Sequence, residues 1–371
     1  MVIEKPGRLL SLDVFRGMTI AGMILVNNPG SSKYVYPELA HSVWNGCTFA
    51  DFIFPFFLFI MGVAITFGLT KRKERGDSHA KLLSKVLRRS FIIFLLGAIL
   101  GIFPKLDFSN FVFTGVLKKI ALVYFFTSFI FLKTNIKMQA TLTGMILVIY
   151  WGLLAFVPLF GIGNSNPALV TILGEQFEQL RVTGQILPQA SEFLWVLNTL
   201  PAICTSLLGV LTGHLLKSDK DKIIQTIYMF VAGNILLLVG YLWDFWFPIN
   251  KYLWSSSFVL FTGGFALNFF AVCFWMIDIK NYKKWTFPFL VFGMNAITVY
   301  FLAVIVRRYI KFITVSDTTE NIVNLKTYLF ESLFLPYFDP VNASFIWSIC
   351  YLFVWFCLMW LFYSRKIFIK V

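Results

Sequence analysis

Three histidines occur in this chain, and His41 lies in a short polar stretch between two strongly apolar ones. A neutral imidazole near pH 7 takes a proton from an amine or hydroxyl nucleophile, or is itself acylated. Asp51 follows ten residues on, at the head of the second apolar stretch. A carboxylate there would orient the ring through its other nitrogen and steady the imidazolium. The plain alternative is an interfacial histidine beside an aspartate at a helix N-terminus, and spacing alone favours that alternative. Asn27 and Asn28 close the first apolar stretch ahead of Pro29 and Gly30. They either terminate a helix or offer an amide to a carbonyl oxygen on which charge develops.

Other polar residues stand inside apolar surroundings. Asp13 and Arg16 are three apart and share a helix face; they form an intramembrane ion pair, or Arg16 meets a phosphate, which the guanidinium fork suits. Lys118 and Lys119 open another apolar run, and cations at that depth are expected to face a cavity. Asn250, Lys251, Trp254 and Ser255 crowd the mouth of a later run, and Asn295 stands inside FGMNAITVY. A buried Asn commonly does no more than bond a neighbouring helix. His214 closes the run LLGVLTGHLL, where an interface role outweighs a ligand role. The five cysteines are scattered without a CxxC, so neither a disulfide framework nor a metal centre is expected.

The elements that must position these residues are membrane helices. The 371 residues are 58% hydrophobic, 19% aromatic and 13% charged, with a mean hydropathy of +0.77; a soluble domain carries about 25% charge. A span needs about 20 mostly apolar residues. On that basis spans fall near 10–28, 51–70, 90–104, 115–132, 141–160, 194–216, 223–243, 253–277, 287–306 and 344–364. The fold expected is therefore all-α, a polytopic integral-membrane bundle of about ten helices, with residues 1–371 forming one domain. With the N-terminus inside, roughly two-thirds of the Lys and Arg fall in cytoplasmic segments, which places both termini in the cytoplasm. The net charge of +14 is then a topological signal, not a nucleic-acid one. No cleavable signal peptide is expected. The basic segment 71–89 reads as a cytoplasmic loop near anionic lipid, with contact to a polyanionic ligand as the lesser alternative; His79 within it reads as solvated. Segments 161–193 and 307–343 read as the long outer loops, the first a lid or a plain connector.

In this order, SLDVFRG, VNNPG, AHSVWNGCTFADFIFPFFLFIMG, GVLKKIALVYF, LLGVLTGHLL, PINKYLWSSS, FGMNAITVY and SRKIFIKV cover nearly the whole chain. Together they resemble the heparan-α-glucosaminide N-acetyltransferase family and its bacterial relatives. The resemblance implies a multi-pass enzyme of a bacterial inner membrane, using cytosolic acetyl-CoA to acetylate a glucosamine amine on the far side. No metal is implied. It places the active-site histidine on His41, with Asp51 and Asn27 as its polar neighbours. It also implies a CoA path through the bundle, for which Arg16, Asp13, Lys119, Lys118, Asn250, Lys251, Trp254, Ser255, Asn295 and His214 are the candidates. The partners to consider are an amino-sugar or glycan acceptor, membrane lipid and a second copy of the chain; nucleic acid is not among them.

The chain departs from the family pattern in three places. Val112-Phe113-Thr114-Gly115-Val116-Leu117-Lys118-Lys119 stands where relatives have Arg-x-Pro-Gly-Val-Leu-Gln-Arg, so Lys119 keeps a charge without the planar fork. An Asp-Pro-Glu-Gly is replaced around Glu192-Phe193-Leu194-Trp195. The large N-terminal luminal portion of the animal enzyme is expected to be absent. The functions to be separated are N-acetyl transfer, polysaccharide O-acetyl transfer, amino-sugar or oligosaccharide transport, and a non-catalytic membrane scaffold.

Overall fold

An apolar run with no water at its flanks must satisfy its amides internally, and the helix is the form that does so within one segment. The computed structural model describes residues 9–104, 114–156, 194–316 and 322–369. Helices α1 (Leu10–Asn27), α2 (Phe49–Glu74), α3 (His79–Ile102), α4 (Val116–Lys133) and α5 (Ile136–Phe156) come first. After them run α6 (Thr199–Leu216), α7 (Lys222–Asp244) and α8 (Ser256–Phe274). Then come the short α9 (Phe287–Met294) and α10 (Ala296–Phe312). A small antiparallel hairpin, β1 (Thr314–Ser316) and β2 (Ile322–Asn324), leads into α11 (Leu325–Leu333) and α12 (Pro340–Ser364).

Among the described residues, seven helices are long and apolar enough to cross a membrane, or eight if the pair α9–α10, bent by 71° at Asn295, counts as one. The ten expected spans also include α3 and α4. Both are helical, but each carries more than two charged residues in every 18-residue window. Part of that difference comes from segment 71–89, which is not a loop: α2 continues to Glu74 and α3 begins at His79. Leu82 and Val86, four apart, are buried on one face and hold this basic stretch in helix. Segment 307–343 is likewise largely structured, as the end of α10, the hairpin and α11. Segment 161–193, expected as a lid or a plain connector, and Val112, Phe113, Glu192 and Phe193 of the altered motifs lie outside the described residues.

The core gathers where α1, α2, α6 and α8 meet, around Phe15, Leu58, Phe59, Leu207, Phe258 and Phe270. Helix pairs touch backbone to backbone through reciprocal glycines, Gly233 of α7 and Gly264 of α8 among them. A side chain on Gly62 would strike the Ser206 carbonyl, and one on Gly209 the Phe59 carbonyl, which locks α2 to α6. Gly17 and Gly293 do the same for α1 and α9. By contrast, α7 and α12 turn Ile227, Val231, Leu238, Phe353, Val354 and Leu361 outward, which suits lipid contact. The Asp278 carboxylate accepts the Leu10 and Ser11 amides at the free end of α1. The tail after α12 returns to Asn295. Both ends of the described chain therefore lie at one end of the bundle, and the His41 loop lies at the other.

Candidate active site

Asp51 occupies the third position of α2, and both its oxygens are engaged. Oδ2 accepts from the Thr48 amide (3.1 Å), the Thr48 hydroxyl (3.0 Å) and the Ser42 amide (3.0 Å), so it closes the helix N-terminus. Oδ1 lies 2.8 Å from His41 Nδ1 and 2.9 Å from Lys251 Nζ. Capping and ring orientation, alternatives from spacing alone, are performed by the two oxygens of one carboxylate. Asp51 is fully buried, whereas the His41 side chain is 40% exposed. Nδ1 faces protein, and the ring is open on a face of the loop.

The loop has reasons to hold this shape. The Thr48 hydroxyl donates to the Ala40 carbonyl (2.6 Å) and draws the two ends of 40–48 together. Gly46, at φ +97°, donates to the Ile249 carbonyl (2.7 Å), and Asn45 pairs with Asn250 across the same junction. Trp44 stacks on Tyr252 with ring centroids 5.6 Å apart. Lys251 rides on this second loop. Burial holds its ammonium below the usual lysine range, with Asp51 acting in the opposite direction. Burial first, then the Asp51 charge, pushes the Cys47 thiol up.

Lys251, expected on the CoA path, belongs to the histidine cluster. The other residues of its motif build the loop: Asn250 Oδ1 accepts from the Leu253 amide, and Ser255 caps α8. Buried Trp254 donates to Thr205. Lys119 props this loop from behind and lines neither of the two larger cavities. It donates to Asn198, whose amide reaches the Tyr252 carbonyl (2.7 Å), and it lies 5.2 Å from the Trp254 ring. Lys118 is fully buried against Gly97 and lines neither of the two larger cavities.

The larger cavity, about 570 Å³, is lined by the basic Arg16, Arg72, Lys85, Arg88 and Arg89 and by apolar side chains that include Phe57 and Met61. Its α2 wall from Arg72 to Phe57 is about 22 Å long at the helical rise. Arg16, held 3.1 Å from Asp13, lines this cavity. Asn295 shapes the rim indirectly: it accepts from the Ile369 amide (2.9 Å) and donates to the Ile367 carbonyl (3.0 Å), bringing Ile369 into the lining. A second cavity of about 250 Å³ lies nearer the loops and is lined by Asn27, Asn28, Tyr300, Arg307 and Arg308. Arg307 donates to the Asn27 carbonyl (2.6 Å). The two cavities share no lining residue, and His41 lines neither. His214 is apart from both, bonded to Gln139 (3.1 Å) and stacked on Phe131.

Sequence reasoning took segment 71–89 first as an anchor near anionic lipid, with a polyanionic ligand as the lesser alternative, and singled out none of Arg72, Lys85, Arg88 and Arg89 as lining residues. It missed Arg307 and Arg308 by assigning them to a loop. The available signal was a cation pair continuing the apolar period of 287–306.

The chain is an α-helical bundle of membrane-length helices, with an imidazole–carboxylate pair at one end and a cationic cavity at the other. The chain belongs to the heparan-α-glucosaminide N-acetyltransferase family: the model for "Heparan-alpha-glucosaminide N-acetyltransferase, catalytic" matches residues 8–242. It is 30% identical over 366 residues to heparan-alpha-glucosaminide N-acetyltransferase of Mus musculus, covering 83% of this chain and 55% of that protein. The Homo sapiens protein of the same name is 29% identical, with 83% and 54% covered. The chain therefore spans about half the length of these curated relatives.

Proposed function

We propose that this chain is a transmembrane acetyltransferase that takes acetyl from cytosolic acetyl-CoA and places it on the amine of a glucosamine-type sugar across the membrane. The observation that carries this reading is the His41–Asp51 pair, a half-exposed imidazole with Nδ1 2.8 Å from a fully buried carboxylate. Asp51 accepts the Nδ1 proton, which leaves Nε2 with its lone pair outward. Nε2 takes the proton that the acceptor amine sheds as its nitrogen bonds to the acetyl carbonyl carbon. The carbon–sulfur bond breaks, and the imidazolium returns that proton to the departing thiolate. Asn27, at the rim of the loop-side cavity, is the amide assigned to the carbonyl oxygen.

Acetyl-CoA is tested against the larger cavity on three features. The mouth carries Arg16, Arg72, Lys85, Arg88 and Arg89, which suit the nucleotide phosphates. The depth between Phe57, Met61 and Ile93 is apolar and suits a pantetheine arm. The α2 wall ends six residues short of Asp51, about 9 Å of helical rise. Acetyl-CoA, when bound, supplies the activated acyl group. The bundle interior around Ile20 separates the two cavities, so transfer also requires a conformational step there. We read the cavity mouth and both termini as cytoplasmic, on the charge bias, and count about ten spans by including α3, α4 and the broken pair.

The test is labelled acetyl-CoA with glucosamine and purified protein. The expected product is N-acetylglucosamine, lost in His41→Ala. A hydroxylamine-labile product would make the enzyme an O-acetyltransferase. No product, with glucosamine uptake that survives His41→Ala, would make it a carrier.

A further inference from the structure

Lys251 lies beyond residues 8–242 that the family model matches, and the His41–Asp51 pair alone gives it no role. Its Nζ lies 2.9 Å from Asp51 Oδ1, 2.9 Å from His41 Nδ1 and 3.5 Å from His41 Nε2, on a side chain only 19% exposed. A cation this close to an imidazole is costly unless it serves the site, because it opposes formation of the imidazolium. Nδ1 cannot both donate to Asp51 and accept from Lys251. The arrangement that aims every donor at an acceptor has Oδ1 receiving both Nδ1–H and Nζ–H.

We propose that Lys251 is a positioning residue that keeps His41 in the neutral, Nε2-basic form by neutralising Asp51 from the side. The inference rests on the acetyl-transfer reading, in which His41 must start uncharged. A bare buried carboxylate beside the ring would hold a proton on it, and a ring already protonated accepts nothing. With Lys251 on Oδ1, the ring faces a neutral pair. Asp51 then orients the imidazole without saturating it, and Oδ2 stays committed to Ser42 and Thr48. The second loop is fixed for this purpose. Asn250 bonds Asn45, the Ile249 carbonyl holds Gly46, and Asp244 accepts the Ile249 amide at 2.5 Å. Among the described residues, the charged or titratable groups facing the cluster are Asp51 from α2, Cys47 and His41 from the first loop, and Lys251 itself. Asp244 is turned to its own backbone.

The test compares wild type, Lys251→Met, Lys251→Gln and Lys251→Arg in two measurements across pH. One is kcat/KM for acetyl transfer to glucosamine. The other is carbethoxylation of His41 by diethyl pyrocarbonate, read at the His41 peptide by mass spectrometry, which needs no turnover. In the Met and Gln variants the acid limb of both profiles is expected to move to higher pH by ~1 unit or more. That is about a tenfold loss at acidic pH, recovered on the alkaline side, and Arg is expected to restore the wild-type limb. Profiles that fall uniformly with an unmoved limb, in Met and Gln alike, overturn the proposal and leave Lys251 a structural strut. Acetyl transfer retained by His41→Ala would sink the parent reading instead; the carbethoxylation profile still decides whether Lys251 governs the ring.

Discussion

At the residue scale, the loop gives one carboxylate two tasks on separate oxygens. Oδ2 holds the N-terminus of α2 and Oδ1 holds the imidazole. Replacing His41 with Ala or Gln is expected to lower acetyl transfer by about 10²–10⁴-fold while acetyl-CoA binding is kept, since the base acts only in the reacting state. Equal loss of binding would assign the ring to the donor site. Asp51→Ala should cost more than activity. It strands the Lys251 ammonium and the Ser42 and Thr48 amides, so thermal unfolding in detergent is expected to show a loss of about 3–5 kcal/mol. His41 and Asp51 were legible because their types and spacing admit few chemistries. Lys251 was legible as a polar residue but not as their neighbour, since more than two hundred positions separate it from the loop. Asn27 was legible only as an amide at a helix end; one Nδ2 hydrogen is committed to the Met23 carbonyl at 2.8 Å, and the second is the donor that the proposed role would use.

At the element scale, the basic segment 71–89 shows how a charge run acquires a purpose. Read as loop, its cations anchor topology; folded into the facing ends of α2 and α3, several of them line one cavity. Lys85 is held 2.8 Å from Asp77, and Arg89 lies over the Tyr124 ring at 4.9 Å, so the cationic mouth is organised before any ligand arrives. Arg88→Ala combined with Arg89→Ala is expected to raise KM for acetyl-CoA by about tenfold or more with kcat little changed. The wild-type KM should itself rise with salt. A kcat effect alone would place the nucleotide elsewhere. The helix contacts are equally specific. Gly209→Val puts a branched side chain against the Phe59 carbonyl, and the α2–α6 contact cannot be kept without backbone movement. A marked fall in folded yield is expected, where Gly144→Val, in open space, leaves the yield intact. The break at Asn295 was invisible in the sequence because a helix-terminating Asn and a buried interhelical Asn read alike.

At the scale of the whole molecule, the apolar runs identify the bundle from the sequence, but the function depends on which end each polar residue occupies. The Leu10–Asp278 and Ile369–Asn295 bonds put both described ends of the chain beside the cavity mouth. The His41 loop closes the other end. The number of spans was harder to read, since α3 and α4 carry charges that a hydropathy rule excludes. Lys118 and Lys119 are nonetheless buried by tertiary contacts that no window of sequence contains. On the proposed function, donor and acceptor enter from opposite ends of the bundle, the donor by the cationic cavity and the acceptor by the His41 loop. That separation is tested most directly in sealed proteoliposomes, with labelled acetyl-CoA on the side of the cavity mouth and glucosamine only on the side of the His41 loop. N-acetylglucosamine is predicted to accumulate with the glucosamine and to vanish in His41→Ala. Product formed only when both substrates share one compartment, or formed equally by the His41→Ala protein, would contradict it.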